Sequence, residues 1–330
     1  MTEVKRISTY LLFGLSLIST NAVAQYTFAL IGKTQNDSFY QQAFAGCKDF
    51  ARQQSDLTCL YDGADDYQDV RTQVLIVKEY VEKGVDGILV STTDSKYLVS
   101  GALKEAKQKG IPVITFDSDL LSDQHAYRLA YVGTNNFDFG VALGQAAKKY
   151  KKQSPQPVCI QSGHYTTPNL NERIRGVRYA LSGTADKKLT GKSGWIEHER
   201  CPLYTMGKRD EALSQLLAIL STDTPPIFIA VAGFAQFNDN YVSALQPFKQ
   251  QLLQQAVTVI SADTEEIQVK ALGLGLSTIN IGQKPYHMGL QSAELLYNYV
   301  KFNKKPPQSA YYLDFHYCNK NNAMTCTNNR

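Results

Sequence analysis

The sequence predicts an α/β protein of two similar, doubly wound lobes with parallel sheets, joined by a multi-strand hinge with a cleft between them. Three observations carry this. Short β-rich runs alternate with helix-like segments, the alternation runs through two successive series of similar size, and no Gly-, Ser- or Pro-rich linker separates the series. Strands spaced by helices of this length imply right-handed βαβ units.

The chain opens with "MTEVKRISTYLLFGLSLISTNAVAQ". A basic start at Lys5 and Arg6, an apolar stretch broken by serines, and Ala22-Val23-Ala24 are the three parts of a cleaved secretory signal. Residues 1–24 are therefore expected to be a signal peptide. Their apolar core is shorter than the roughly 20 residues of a spanning helix, and no cysteine follows the cleavage site to take a lipid.

In the first series, "YTFALIG" (26–32) precedes a helix through Phe50, and "LTCLYDG" precedes a helix from about Tyr67 to Lys83. "VDGILVS" (85–91) leads into "KYLVSGALKEAKQKG", whose apolar spacing is helical and which stops at Gly110. "IPVITFDSD" and "RLAYVGTNN" supply two further strands.

The rhythm restarts after Asn135 with a helix through Tyr150, then "PVCIQSG" (157–163) and a helix from near Asn171 to Leu181. "SGWIEHE" (193–199), a helix from Lys208 to Leu220, "IFIAVAG" (227–233), a helix after Asn238 and "VTVISAD" (257–263) complete it. "YVGTNN" runs directly from strand into helix, which suits a crossing between lobes, and "GQKPYHMG" (282–289) reads as the return. The helix "MGLQSAELLYNYVKF" then packs on the first lobe. The expected division is 25–135 plus 284–310 for the N-terminal lobe and 136–283 plus 311–330 for the C-terminal lobe.

Without Lys5, Arg6 and Glu3 of the signal, 32 basic and 29 acidic residues remain, a net charge of +3. So small an excess predicts no nucleic-acid partner, and "KKYKK" (148–152) reads as the solvated end of a helix. All six cysteines lie beyond residue 24. An even count in an exported chain favours disulfides, buried free thiols being the alternative. The expected pattern is sequential, Cys47 with Cys59, Cys159 with Cys201, and Cys318 with Cys326, each pair within one local unit. No CxxC and no histidine at ligand spacing accompanies them, so no metal site is expected.

Three acids follow a pattern. Asp37, Asp117 and Asp263 each stand at the carboxyl end of an apolar strand, the end at which open α/β sheets bind ligands. Carboxylates accept hydrogen bonds in pairs from vicinal hydroxyls, and an arginine supplies the complementary forked donors. Arg173, near the start of a second-lobe helix, fits that role. With Phe39, Tyr40 and Tyr204 beside them, these groups suit a small polyhydroxylated ring. An aspartate after a strand is also a common helix N-cap, so the joint placement carries the reading. "GLGLST" (273–278) lacks a full GxGxxG, and no GxSxG or Walker loop occurs. No catalytic residue and no cofactor is expected.

The segments "FALIGKTQNDSFYQQAFAGCKDFA", "VEKGVDGILVSTTDS", "AKQKGIPVITFDSD", "YVGTNN", "NERIRGVRYAL", "VISAD" and "GQKPYHMG" together resemble the periplasmic solute-binding proteins of the ribose/galactose type, the type I periplasmic binding fold shared with lactose-repressor-like regulators. The resemblance implies a sugar site built from Lys33, Asp37, Phe39, Tyr40, Asp117, Ser118, Asn169, Arg173, Asp263 and Gln283. It further places Tyr204 at the aromatic position of the second lobe. Where the family reads "NDEMA", this chain has "GFAQFND", which puts Phe234 near the place of the ligand amide. The resemblance also implies a periplasmic monomer, not an enzyme, that delivers a sugar or sugar-like molecule to a membrane ABC permease. The alternative is a ligand-sensing receptor that signals through a sensor histidine kinase or chemoreceptor.

Overall fold

The computed structural model describes residues 25–65 and 67–326; the expected signal peptide lies outside them. β1 (Tyr26–Thr34) is buried continuously from Phe28, as a central strand covered on both faces must be. Asp37 then caps α1 (Ser38–Arg52) by accepting a hydrogen bond from the Phe39 amide. β2 (Leu57–Ala64) leads to α2 (Val70–Lys83), capped by Asp69 and ended by left-handed Gly84. β3 (Gly87–Val90) is followed by α3 (Ser95–Leu98), a π turn and α4 (Lys104–Gln108), then by β4 (Val113–Phe116) and β5 (Ala130–Gly133).

The chain now changes lobes. α5 (Asn136–Lys148) and β6 (Gln156–Ser162) are followed by α6 (Pro168–Ser182), β7 (Trp195–Glu197), β8 (Leu203–Tyr204) and α7 (Arg209–Leu220). β9 (Ile227–Ala230), α8 (Tyr241–Leu245), α9 (Lys249–Leu253), β10 (Val259–Ala262), α10 (Glu266–Gly273) and β11 (Ile279–Gly282) complete the second series. α11 (Pro285–Phe302) and β12 (Ala310–Tyr312) return to the first lobe, and β13 (His316–Asn319) goes back to the second.

The first sheet has the order β12-β5-β4-β3-β1-β2 and is parallel throughout. The second has the order β13-β11-β10-β9-β6-β7, with β8 beside β6 and only β13 antiparallel. The architecture is the two-lobed α/β fold that the alternation predicts. Among the described residues the chain crosses between sheets after Gly133, after Gly282 and after Tyr312. The third crossing comes with β12, a three-residue strand that the sequence pattern does not mark.

Two contacts hold helices where the site needs them. A Cβ on Gly289 of α11 would lie 1.7 Å from the Ala43 carbonyl of α1, and one on Gly140 of α5 would lie 2.1 Å from the Arg173 carbonyl of α6. Both helix pairs therefore approach backbone to backbone, which only glycine permits. Three disulfides join Cys47 to Cys59, Cys159 to Cys201, and Cys318 to Cys326, the sequential pattern. "GLGLST" ends α10 and turns into β11 through Gly275 at φ 78°, so it opens no helix and makes no phosphate loop.

Candidate functional site

The carboxyl ends of both sheets meet in a cleft that encloses a cavity of about 30 Å³. Its wall takes Lys33, Asp37, Phe39, Tyr40, Gln68 and Asp117 from the first lobe and Asn169, Leu170, Arg173, Ala232, Phe234, Phe237 and Asp263 from the second, with Gln283 at a crossing. All of these side chains but Gln68, Leu170, Ala232 and Phe237 are among those the sequence reading names.

Asp117 is the centre of the network. Its carboxylate accepts from Lys33 Nζ at 3.0 Å, Ser91 Oγ at 2.7 Å, Tyr40 Oη at 3.1 Å and Asn169 Nδ2 at 3.1 Å. Burial works against its charge, but Lys33 and Arg173 together hold its carboxyl below the usual range. Burial also pulls the Lys33 ammonium below its usual range, with Asp117 pulling the other way. The Asp117 carboxylate is thus the charged centre that the lysine and the arginine share. Lys33 donates as well to Asn169 Oδ1 at 3.0 Å, so this pair and the Asn169–Asp117 bond bridge the lobes.

α6 explains the second-lobe half. It starts at Pro168, earlier than the expected Asn171, because proline suits the first helical position. Asn169 and Arg173 then lie four residues apart on one face, and both are buried. Arg173 is no surface arginine; Arg175 is the residue that pairs with Glu172. The Arg173 guanidinium donates to Asn136 Oδ1 at 2.8 Å, the Val231 carbonyl at 2.9 Å and Gln283 Oε1 at 2.9 Å, over the face of Phe139. Gln283 in turn donates to Asp263 at 2.7 Å and accepts from Thr134 at 2.9 Å. Thr134 and Gln283 lie on the first and second crossings, so the arginine is tied directly to the hinge.

Asp37 and Asp263 behave differently from Asp117. Burial pushes the Asp37 carboxyl up to about 6, against the Phe39 amide that favours its charge. Burial raises Asp263 too, with Arg173 and Gln283 only partly offsetting it. Asp37 therefore caps α1 and faces the cavity at once.

Two expected site residues do not reach the cavity. Ser118 is fully buried behind it: Asp117 adopts φ 56°, the chain turns, and the Ser118 carbonyl accepts from the Thr92 amide. Tyr204 is 39% exposed on β8; its neighbour Leu203 packs on the second-lobe core, so strand alternation turns the tyrosine outward, towards Tyr165. Gln68 and Phe237 were missed. Gln68 follows β2 and, by the strand-end logic that found the aspartates, was findable; it accepts from the His164 amide across the cleft at 3.1 Å. Phe237 lies three residues after Phe234 in the same "GFAQFND" segment.

Among the described residues the one cluster with metal-ligand geometry is His316, Cys318 and Cys326. Its two sulfurs are bonded to each other, so it offers no thiolate. No helix of the described residues is long and apolar enough to cross a membrane.

Several known proteins are similar to this chain. A D-ribose/D-allose-binding protein of Pseudomonas aeruginosa is 27% identical over 191 residues, 56% of this chain and 59% of that protein. The ribose import binding protein of Escherichia coli is 25% identical over 288 residues, covering 87% of this chain and 89% of its own. Among solved structures, an ABC transporter solute-binding protein from Burkholderia graminis in complex with D-arabinose superposes with a TM-score of 0.76 at 23% identity, over 92% of this chain and 98% of that one. One from Agrobacterium vitis bound to α-D-tagatopyranose gives 0.78 at 21% identity, over 92% and 98%. These likenesses show the fold, and the named relatives are binding proteins rather than enzymes. Residues 28–305 match the family described as the periplasmic binding protein domain, and the chain belongs to that family.

Proposed function

We propose that this protein captures a sugar or sugar-like small molecule in the periplasm between its two closing lobes and delivers it to an ABC importer. The observation that carries the reading is the cleft itself. Hydrogen-bonding groups from both lobes, Lys33, Asp37 and Asp117 on one side and Asn169, Arg173 and Asp263 on the other, converge on one cavity with Phe39 and Phe234 on its wall. Polar edges of a sugar meet the acids and the guanidinium, and its apolar face meets an aromatic ring.

The relatives' sugar ligands support the same class, and the leader sequence, the family and three disulfides support the periplasm. A cavity of about 30 Å³ is far below the roughly 300 Å³ of a small ligand pocket. Entry therefore requires the lobes to part, breaking the bonds from Asn169 to Lys33 and Asp117, and closure re-forms the site around the ligand. The sensor-kinase alternative draws no support from the relatives named above.

A thermal-shift screen of the mature chain against pentoses, hexoses and inositols tests the capture step. Stabilisation that grows with ligand concentration is the expected result; a flat response across the whole panel defeats the reading. Stimulation of a co-purified permease's ATPase by the loaded protein tests delivery.

A further inference from the structure

The buried charges of the cleft do not balance. Its two buried cations, the Lys33 ammonium and the Arg173 guanidinium, both lie against Asp117, at 3.0 and 3.7 Å. Asp37 and Asp263 are 8% and 6% exposed on the cavity wall, and among the described residues neither has a cationic side chain within ion-pairing distance. Asp37 accepts from the Phe39 amide, and Asp263 accepts from the Gln283 side chain and the Gly233 amide. All of those donors are neutral.

The surrounding elements add little positive charge. Arg209, at the start of α7, stands on the rim and reaches the Asn36 carbonyl at 3.1 Å. Tyr40, on α1, faces Asp117. Glu265, at the start of α10, brings a further buried carboxylate to the same interface, against Ser38 and Gln42 of the opposite lobe. Arg173 acts on Asp263 and Arg209 on Asp37 only from beyond ion-pairing distance. Acids buried close together with only distant counter-charges repel one another and lose hydration, and a cation among them relieves both costs.

Resting on the reading of a sugar-like ligand in this cleft, we propose that the ligand is a polyhydroxylated amine, an amino sugar or amino polyol in its protonated form, whose ammonium is received by Asp37 and Asp263. Its hydroxyls go to the Asp117, Asn169 and Arg173 side of the cavity. Ammonium–carboxylate hydrogen bonds are charge-assisted and stronger than those a hydroxyl makes. Phe39, Phe234 and Phe237 on the same wall add aromatic faces that favour a cation over a neutral group.

Pairs of compounds that differ only by a hydroxyl or an amine at one carbon separate this proposal from sugar binding in general. Isothermal titration of the mature chain at pH 6.5, where sugar amines are protonated, is expected to show one amino compound binding at least about tenfold tighter than its hydroxyl twin. In Asp263→Asn and in Asp37→Asn, which keeps an N-capping side chain, that ratio should shrink to within about threefold. A hydroxyl compound that binds as tightly as its amino twin overturns the proposal and leaves the sugar-binding reading standing. A ratio that survives both substitutions overturns the assignment to these two acids. No binding by either class across the panel overturns both readings.

Discussion

Asp117 and Asp263 hold equivalent places in the two lobes. Each directly follows a strand, each has a left-handed backbone, at φ 56° and φ 71°, and each donates its amide to a carbonyl of the next strand, Val132 or Ile281. A left-handed aspartate is uncommon and costs free energy. The conformation turns both carboxyls across the strand ends into the cleft.

Asp117→Ala is expected to abolish ligand binding, since losing a charged hydrogen-bond acceptor costs on the order of 2–4 kcal/mol. It also leaves the Lys33 ammonium buried without its partner, which destabilises by roughly 3–5 kcal/mol. Adding Lys33→Met removes the stranded charge. Calorimetry should show stability recovering in the double variant, while titration shows that binding does not.

Arg173→Lys keeps the charge but cannot reproduce three separate hydrogen bonds from one planar fork. The bonds to Asn136, the Val231 carbonyl and Gln283 are then incompletely made. Ligand affinity measured by titration should fall at least about tenfold. An unchanged Kd would mean that the guanidinium is structural only.

Burial raises Glu265 to about 8, against the hydrogen bonds from Ser38 and Gln42. A carboxyl with a raised folded-state pKa binds more protons folded than unfolded, so its contribution to stability falls as pH rises. The loss starts near the ordinary glutamate range and is complete above about 8. Glu265→Gln should therefore be more stable than the parent at pH 8.5, and the advantage should shrink steadily towards pH 5. Melting temperatures of the two proteins in parallel check this, because shifts from His164, His287 and His316 cancel in the difference.

Reduction should lower the melting temperature, with the bridges contributing unequally. In the chain-entropy view the Cys159–Cys201 bridge, 42 residues apart, is worth about 4 kcal/mol, and Cys318–Cys326, 8 apart, about 2.5 kcal/mol. Single Cys→Ser pairs compared by calorimetry should keep that order.

The fold was legible because its strands are buried on both faces and read as continuous apolar runs such as "FALI" and "IFIAV". β12 and β13 were not, since both are edge strands, largely half-buried or exposed, and carry no buried apolar run. Asp37, Asp117 and Asp263 were legible from their place at strand ends. Ser118 misled because one backbone torsion at Asp117 decides where the next side chain points, and Tyr204 because strand parity cannot be read from two residues. The partners of Arg173 were illegible for another reason: Asn136, Val231 and Gln283 come from three distant segments, two of them beside crossings between the lobes, that only the folded chain brings together.

The three crossings between the sheets have a consequence for breakage. A protease that cuts the chain once after Gly133, Gly282 or Tyr312 still leaves two covalent connections between the lobes. Such a nicked molecule would separate into two pieces under denaturing conditions and migrate as a single particle under native ones. With two tethers left to align them, the cut lobes retain the means to close on a ligand.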